Sequence, residues 1–211
     1  MVREGSPQTL SIGAPARSPR MIQNPATLEV VGPQLADAKA EPLTRARASA
    51  LFAEHCDYVW NTLRRLGVRR EDLEDVTHDT FVAVYRQWSA YDEERPIRPW
   101  LFGFALRVAS DHRRRARHRF EVDAPAQEPR DETPNAAELL LQKEREALAH
   151  AALSSIEVSR RAVFILHDLD GSTVPEIATV LNIPVATAYS RLRLAREDFA
   201  AAVKRLTLRA R

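Results

Sequence analysis

Seven arginines are concentrated in residues 98–119, where only one acidic residue, Asp111, accompanies them. The arginines of this cluster are Arg98, Arg107, Arg113, Arg114, Arg115, Arg117 and Arg119. Aromatic side chains lie just before and among them, at Trp88, Tyr91, Trp100, Phe102 and Phe104. Cationic groups hold a phosphate backbone and aromatic rings receive unstacked bases, so this combination indicates a surface for single-stranded nucleic acid.

The same residues also allow a purely structural interpretation. Trp100 and Phe104 lie on one apolar stripe of a predicted helix, so we expect them in the core. Trp88 is also expected in the core. Burial is less clear for Tyr91 and Phe102. A solvated helix end would also carry arginines. Because the cluster lacks compensating acids, we favour the nucleic-acid surface.

A second nucleic-acid signal lies in residues 171–192, where two short helices are predicted on either side of a tight turn. Thr173 and Glu176 have the spacing of a capping box that starts the first helix. Asn182 can adopt the left-handed conformation that ends this helix, and Pro184 suits the first position of the next one. This pattern is typical of a helix-turn-helix.

The second of these helices divides into two faces. The residues expected to face the core recur at steps of three and four, and they are Val185, Ala188, Leu192, Ala195 and Phe199. The side chains that this leaves turned outward near the N-terminal end are Thr187, Ser190, Arg191 and Arg193. This end of such a helix enters the major groove, where arginine can read guanine. The alternative is that these helices are only a capped pair within a helical bundle. Residues 184–211 contain seven basic residues and only two acidic ones, which favours a surface that binds DNA phosphates.

Composition restricts the elements that position these residues. The 211 residues are 45% hydrophobic and 28% charged, and only 6 are glycines, which favours an all-α fold over a turn-rich β fold. Cys56 is the single cysteine, so an intrachain disulfide is excluded, and we predict a small buried residue there. The chain lacks both an apolar run of about 18 residues and a secretory signal, so we expect a cytoplasmic protein.

The chain is predicted to contain two small helical domains joined by a flexible acidic linker. The predicted parts are a disordered Pro-rich tail at 1–42, a first domain at 43–119, the linker at 120–135 and a helix-turn-helix domain at 136–206. Helices are predicted at about 43–66, 71–88, 98–117, 136–152, 156–168, 173–181 and 184–205. The first helix is allowed a break near Ala53–His55 and is expected to end at Gly67.

The octapeptide from Glu74 to Phe81, Glu-Asp-Val-Thr-His-Asp-Thr-Phe, resembles the polymerase-binding helix of extracytoplasmic-function (ECF) sigma factors. These are the smallest members of the sigma-70 family of bacterial RNA polymerase. His78 stands where the family usually has glutamine. The resemblance implies that the core-polymerase contacts are Asp75, Val76, His78, Asp79 and Phe81.

The segment from Pro99 to Arg115 is similar to the family's element for the minus-ten promoter region. Leu106-Arg107 stands where Arg-Asn is common in the family. A flipped base would be held by the preceding loop, at about Ser89 to Arg98. The minus-ten DNA contacts that this resemblance and the charge pattern imply are Arg98, Trp100, Phe102, Arg107, Arg113, Arg114 and Arg117.

The segments Arg161–Ala178 and Thr187–Arg196 are similar to the family's element for the minus-thirty-five region. Ala186 replaces a common glycine and Tyr189 a common arginine, so the promoter sequence is not transferable. The implied minus-thirty-five contacts are Thr187, Tyr189, Ser190, Arg191, Arg193 and Arg196.

The resemblance implies a sigma factor, which binds core RNA polymerase and directs promoter recognition, DNA melting and transcription initiation. Its expected partners are core polymerase, promoter DNA (duplex and single-stranded) and an anti-sigma factor, with no membrane insertion. No cofactor, metal or catalytic residue is expected, because the six histidines are scattered without metal-ligand spacing. The alternative is a helix-turn-helix transcription regulator that is not a polymerase subunit.

Overall fold

A computed structural model describes residues 43–119 and 136–209, with side chains described for 43–116 and 142–209. These ranges contain seven α-helices and no strand, which confirms the all-α prediction. The predicted tail and the predicted acidic linker lie outside the described residues. No helix among the described residues is long and apolar enough to span a membrane.

Three helices form the N-terminal unit, and they are α1 (Arg45–Leu66), α2 (Leu73–Arg86) and α3 (Ile97–Arg119). Thr44 caps α1 by accepting a hydrogen bond from the backbone N of Arg47 at 3.3 Å. The helix is continuous through residues 53–55, so the break allowed there is absent. It ends at Gly67, whose φ of 92° is the left-handed stop that the sequence predicts.

The start of α2 is joined to the far end of α3. A single 3-10 turn, Arg70–Asp72, precedes α2, close to the predicted start at residue 71 or 72. Asp72 accepts a hydrogen bond from Arg69 at 2.8 Å and lies 3.1 Å from Nε2 of His112 on α3. A second 3-10 turn, Trp88–Ala90, follows α2 and leads into the loop before α3.

Four helices form the C-terminal unit, and they are α4 (Ala136–Ser154), α5 (Val158–Phe164), α6 (Val174–Val180) and α7 (Val185–Arg209). A π-helical turn, Ile165–Leu169, extends α5. The predicted capping box is confirmed, since the Glu176 carboxylate accepts from the backbone N and hydroxyl of Thr173 at 2.7 and 2.8 Å. Asn182 has the predicted left-handed conformation, with a φ of 50°.

The core-facing predictions for α7 are mostly confirmed. Ala188, Leu192 and Ala195 are buried, and Phe199 is partly buried against Phe164. Val185 is 44% exposed, so its predicted place in the core is wrong. The reason is positional, because Val185 is the first residue of the helix and no preceding turn covers it.

The two units pack against each other through α1 with α4 and α5, and through α3 with α6. One cluster of buried hydrophobic residues runs through both units. A second, smaller cluster lies within the C-terminal unit and contains Leu153, Ile156, Phe164 and Ala195. The predicted minus-ten helix α3 and the helix-turn-helix therefore share a core.

Candidate polymerase and nucleic-acid interfaces

The predicted polymerase contacts on α2 separate into an outer and an inner set. Asp75, His78 and Asp79 are exposed and lie on one helix face, since their spacing is i, i+3 and i+4. Val76 and Phe81 are buried, at 2% and 1% exposure. The exposed face can contact a partner directly, whereas Val76 and Phe81 act through packing in this arrangement.

An exposed aromatic residue on α1 extends this surface, and the sequence did not identify it. Phe52 is 40% exposed, and its ring centroid lies 4.8 Å from that of Phe81. The apolar edge of Phe52 beside a polar helix face is typical of protein-binding surfaces. Periodicity alone did not distinguish Phe52 from its buried neighbour Leu51.

The aromatic side chains near the arginine cluster form one packed group. Trp100 lies at its centre, with ring centroids 5.9 Å from Trp88, 4.9 Å from Tyr91 and 4.7 Å from Phe104. Trp88 and Phe104 are buried, as predicted. Tyr91 and Phe102, less clearly buried by sequence, are 8% and 0% exposed, so Phe102 is a packing residue here and not accessible to DNA.

The predicted minus-ten arginines lie along α3 in different surroundings. Arg98 is exposed, and its guanidinium carbon lies 5.4 Å from the Tyr58 ring centroid. Arg107 and Arg113 are half-buried, and the exposed Arg114 forms an ion pair with Asp111 at 3.0 Å. Arg117 belongs to α3, but its side chain lies outside the described ones.

Two nitrogen atoms of these predicted contacts are buried without a hydrogen-bond partner among the described residues. They are Nε1 of Trp100 and Nε of Arg107. A buried donor without a partner costs about 1–3 kcal/mol relative to one that is hydrogen-bonded or hydrated. Both atoms are therefore donors that another arrangement of the chain or a ligand can satisfy.

The predicted minus-thirty-five residues lie together on the N-terminal half of α7. Tyr189 is 57% exposed, Ser190 and Arg193 are exposed, and Thr187 and Arg191 are half-buried. A tight turn connects α6 to this helix, which is the helix-turn-helix geometry that the sequence predicts. Tyr189, Ser190 and Arg193 share one exposed side of the helix, whereas Thr187 and Arg191 lie towards its other side, since successive residues are about 100° apart around the axis.

Two arginines of α7, the second helix of the helix-turn-helix, form ion pairs with acidic side chains. Arg193 pairs with Glu197 at 2.6 Å, and Nε of Arg196 donates to Asp168 at 2.9 Å. The hydrogen bonds from Arg196, reinforced by His167, keep the pKa of Asp168 below its usual value. An open groove of about 430 Å³ lies beside these pairs, between Tyr189 and His167.

Cys56 is only partly buried, which corrects the prediction of a buried residue. Burial and the nearby Asp57 carboxylate raise the pKa of its thiol, so the reactive thiolate is disfavoured.

Among the described residues, no group of three or more His, Cys, Asp or Glu side chains could hold a metal ion.

The sequence missed three polar residues at the contact between the two units, of which Arg161 is buried and Tyr58 and Asp170 are half-buried. Arg161 is 5% exposed, and Tyr58 and Asp170 are joined by a hydrogen bond of 2.8 Å. Burial lowers the pKa of Arg161 to about 10, and burial raises that of Asp170. No local sequence signal identifies these contacts, because the residues that each hydrogen bond joins are about 100 positions apart in the chain.

Comparisons with known proteins match both units. The family model described as sigma-70 region 2 matches residues 51–119, and that for sigma-70 region 4 matches residues 146–199. The ECF RNA polymerase sigma factor SigL of Mycobacterium tuberculosis is 32% identical, covering 69% of this chain and 82% of SigL. SigE of Mycolicibacterium smegmatis is 29% identical, covering 81% of this chain and 66% of SigE.

Solved structures agree with these matches. CnrH of Cupriavidus metallidurans is 30% identical in sequence, covering 72% of this chain and 83% of CnrH. Its structure in complex with the cytosolic domain of CnrY superposes with a TM-score of 0.54, covering 76% of this chain and 90% of that one. The sigma factor RpoE of Bartonella quintana, at 18% identity and a TM-score of 0.56, shares the fold over 74% of this chain and 96% of RpoE.

Relatives at 30% identity or more align with over two thirds of the chain, and the two sigma-70 regions occur in the family's order. The exposed face of α2 and the helix-turn-helix lie within the matched ranges. The chain belongs to the ECF group of RNA polymerase sigma factors, which direct the polymerase to promoters.

Proposed function

We propose that the two units divide promoter recognition between them. Residues 43–119 form the unit that binds core polymerase and the minus-ten region, and residues 136–206 form the unit that reads the minus-thirty-five region. The observation that carries this proposal is the exposed surface of Tyr189, Ser190 and Arg193 on a helix that follows a capped helix and a tight turn. That surface has the position and chemistry for major-groove recognition.

The exposed face of α2, with Asp75, His78 and Asp79, is the proposed contact with core polymerase. Its carboxylates are not paired by any described ion pair, so they are available to basic groups of a partner. Phe52 adds an apolar contact at the edge of the face. Val76 and Phe81 support the face from below.

We assign the capture of the single strand to the cationic residues of α3 and to the loop before it. Arg98 and Arg114 are exposed, while Trp100 is half-buried. The arginines hold the phosphate backbone as the duplex opens. Phe102 contributes by packing, because it is fully buried.

The function requires no chemistry from the chain itself, so we propose neither cofactor nor catalytic residue. The acidic residues around 121–146 lie between the two units in the sequence, and we propose that they mimic nucleic acid near the active-site channel of the polymerase until RNA displaces them. We place the protein in the cytoplasm, where core polymerase and DNA are found. RpoE is in complex with the anti-sigma factor NepR, and we propose a partner of that class here.

Run-off transcription with purified core polymerase tests the function. The full chain should convert core polymerase, inactive on a promoter alone, into an enzyme that starts at defined sites. Sequencing of these transcripts would give the promoter motif. If the chain binds DNA but never supports initiation, the helix-turn-helix regulator is the correct function instead.

A further inference from the structure

A cation lies at the end of α1 where a helix favours an anion. Arg47 is in the first turn of this helix, three residues after the N-cap Thr44. The N-terminus of a helix carries partial positive charge, and a capping box would place Glu or Gln at the position of Arg47. Residues that go against such a local preference often serve tertiary structure or function. The reason for a cation at this position therefore lies outside α1.

The side chain of Arg47 reaches the connection between α2 and α3 at two points. Its Nη2 donates to Oε1 of Glu93 at 2.6 Å, although the two residues are 46 positions apart in the chain. Its guanidinium carbon lies 5.2 Å from the ring centroid of the buried Trp88, a distance at which an aromatic ring attracts a cation. Trp88 precedes the loop at 91–96 and Glu93 lies within it, so one side chain fixes both.

The loop at 91–96 is held by side chains rather than by a helix or a strand. The hydroxyl of Tyr91 donates to the carbonyl of Arg95 at 2.7 Å, which closes the loop on itself. The ion pair between Glu93 and Arg47 attaches the loop to α1. Loss of this ion pair would therefore release the loop from α1 without opening its internal hydrogen bond.

The same loop borders the half-buried Trp100. The ring centroid of Tyr91 lies 4.9 Å from that of Trp100 and 5.2 Å from that of Trp88. Nε1 of Trp100 is a buried donor without a hydrogen-bond partner among the described residues. A shift of the loop would move Tyr91 and so change the aromatic surface that an unstacked base can contact.

We propose that Arg47 is a positioning residue for the loop at 91–96, which it holds in the shape that receives an unstacked base of the minus-ten strand. The proposal rests on the proposed function of α3 and of the loop before it. Arg47 acts through Glu93 and Trp88 and does not itself contact the DNA. A loop that is ordered before binding loses less conformational entropy when the base enters, so the affinity for that base increases. Because both members of the ion pair are partly exposed, the increase should be about two- to fivefold.

The experiment is an abasic scan with holoenzyme reconstituted from the full chain and purified core polymerase. The ligands are single-stranded minus-ten oligonucleotides of the sequence that transcript sequencing identifies, each abasic at a different position. A captured position is one where loss of the base lowers the affinity of the wild-type holoenzyme. The ratio of the intact to the abasic affinity measures base capture, because both oligonucleotides share the same phosphate contacts.

Arg47→Met removes the charge and keeps the length of the side chain. At one captured position it should lower the ratio of intact to abasic affinity about two- to fivefold, and the affinity for the oligonucleotide that is abasic there should not change. This unchanged affinity also shows that the variant folds and forms holoenzyme. Arg45→Met is the matched control, because Arg45 is an exposed arginine in the same turn of α1, and it should change neither affinity.

Glu93→Gln gives a second measurement through a double-mutant cycle. If Arg47 acts through Glu93, Glu93→Gln weakens binding of the intact oligonucleotide in the wild-type chain and has little further effect in Arg47→Met. Additive losses would overturn the proposal, because they would mean that the two side chains contribute independently.

Two results of the abasic scan would also overturn the proposal. One is a ratio of intact to abasic affinity that Arg47→Met leaves unchanged at every position. The other is an equal loss of affinity for all oligonucleotides, which would make Arg47 a phosphate contact. If the wild-type holoenzyme binds every abasic oligonucleotide as tightly as the intact one, no base is captured, and the proposed function of the loop fails together with the role of Arg47.

Discussion

Gly67 leaves the space that Arg161 fills. A Cβ at position 67 would lie 2.9 Å from Nη1 of Arg161, closer than such atoms approach in proteins. Gly67 also has a φ of 92°, which side chains rarely adopt. One glycine therefore ends α1 and admits the guanidinium that binds the carbonyl of Leu66.

Gly67→Ala should lower the free energy of unfolding by more than Gly171→Ala does. Both glycines have a positive φ, and a Cβ at Gly171 would meet nothing within 4 Å. Gly171→Ala should cost only the backbone strain, about 1–2 kcal/mol. Gly67→Ala should cost about 0.5–1.5 kcal/mol more, because Arg161 must give up a buried hydrogen bond. Urea denaturation of both variants measures the difference, and equal losses would show that Arg161 adjusts freely.

Asp75→Ala should weaken core-polymerase binding about tenfold, because it removes an exposed charge from the proposed contact face of α2. The measurement is holoenzyme formation with labelled core polymerase. Glu144→Ala on α4 is the matched control, since it removes an exposed acid outside that face. Undiminished holoenzyme formation by Asp75→Ala would argue against the assigned face.

Arg191→Ala and Arg193→Ala should each weaken promoter binding by about 1–3 kcal/mol, the loss typical of an arginine that reads a base, while core binding persists. Competition binding of the holoenzyme to duplex promoter DNA measures the loss. Arg209→Ala, at the distal end of α7 and outside the predicted contacts, is the control and should leave promoter binding unchanged. Equal loss of core binding would indicate misfolding instead.

Asp170→Asn should make the chain at least as stable as the wild type at pH 7. Burial raises the pKa of Asp170, despite the hydrogen bond from Tyr58 and the nearby charges of Arg65 and Arg98. An acid with a raised pKa binds its proton more readily in the folded state, so wild-type stability increases as the pH falls through that raised pKa towards the unfolded value. The advantage of Asp170→Asn should therefore disappear by about pH 4 in urea denaturation.

Asp168→Asn is the control of opposite sign. Because Arg196 lowers the pKa of Asp168, its carboxylate stabilises the fold above the unfolded pKa, and this stabilisation is lost as the pH falls. Asp168→Asn should thus be less stable than the wild type at pH 7 and equal to it in acid. If both variants shift in the same direction at pH 7, the assignment of Asp170 is wrong.

The local elements of the fold were predictable from the sequence. The stop at Gly67, the capping box of Thr173 and Glu176, and the left-handed Asn182 all depend on residues within a few positions of each other. Their physical causes are backbone sterics and short-range hydrogen bonds, so residue type and spacing suffice. The exposed surface of α7 follows from the same periodicity, except at its first residue.

Only the tertiary structure decided that Tyr91 and Phe102 are buried and how the units meet. The apolar periodicity did not decide whether Phe102 is buried, because its burial depends on the packing of whole helices. The hydrogen bonds of Arg161 with Leu66 and of Tyr58 with Asp170 join residues 95 and 112 positions apart. The sequence by itself determined the helices and their polar faces, because these are local. The contact between the units was decided by long-range packing, which the local pattern does not record.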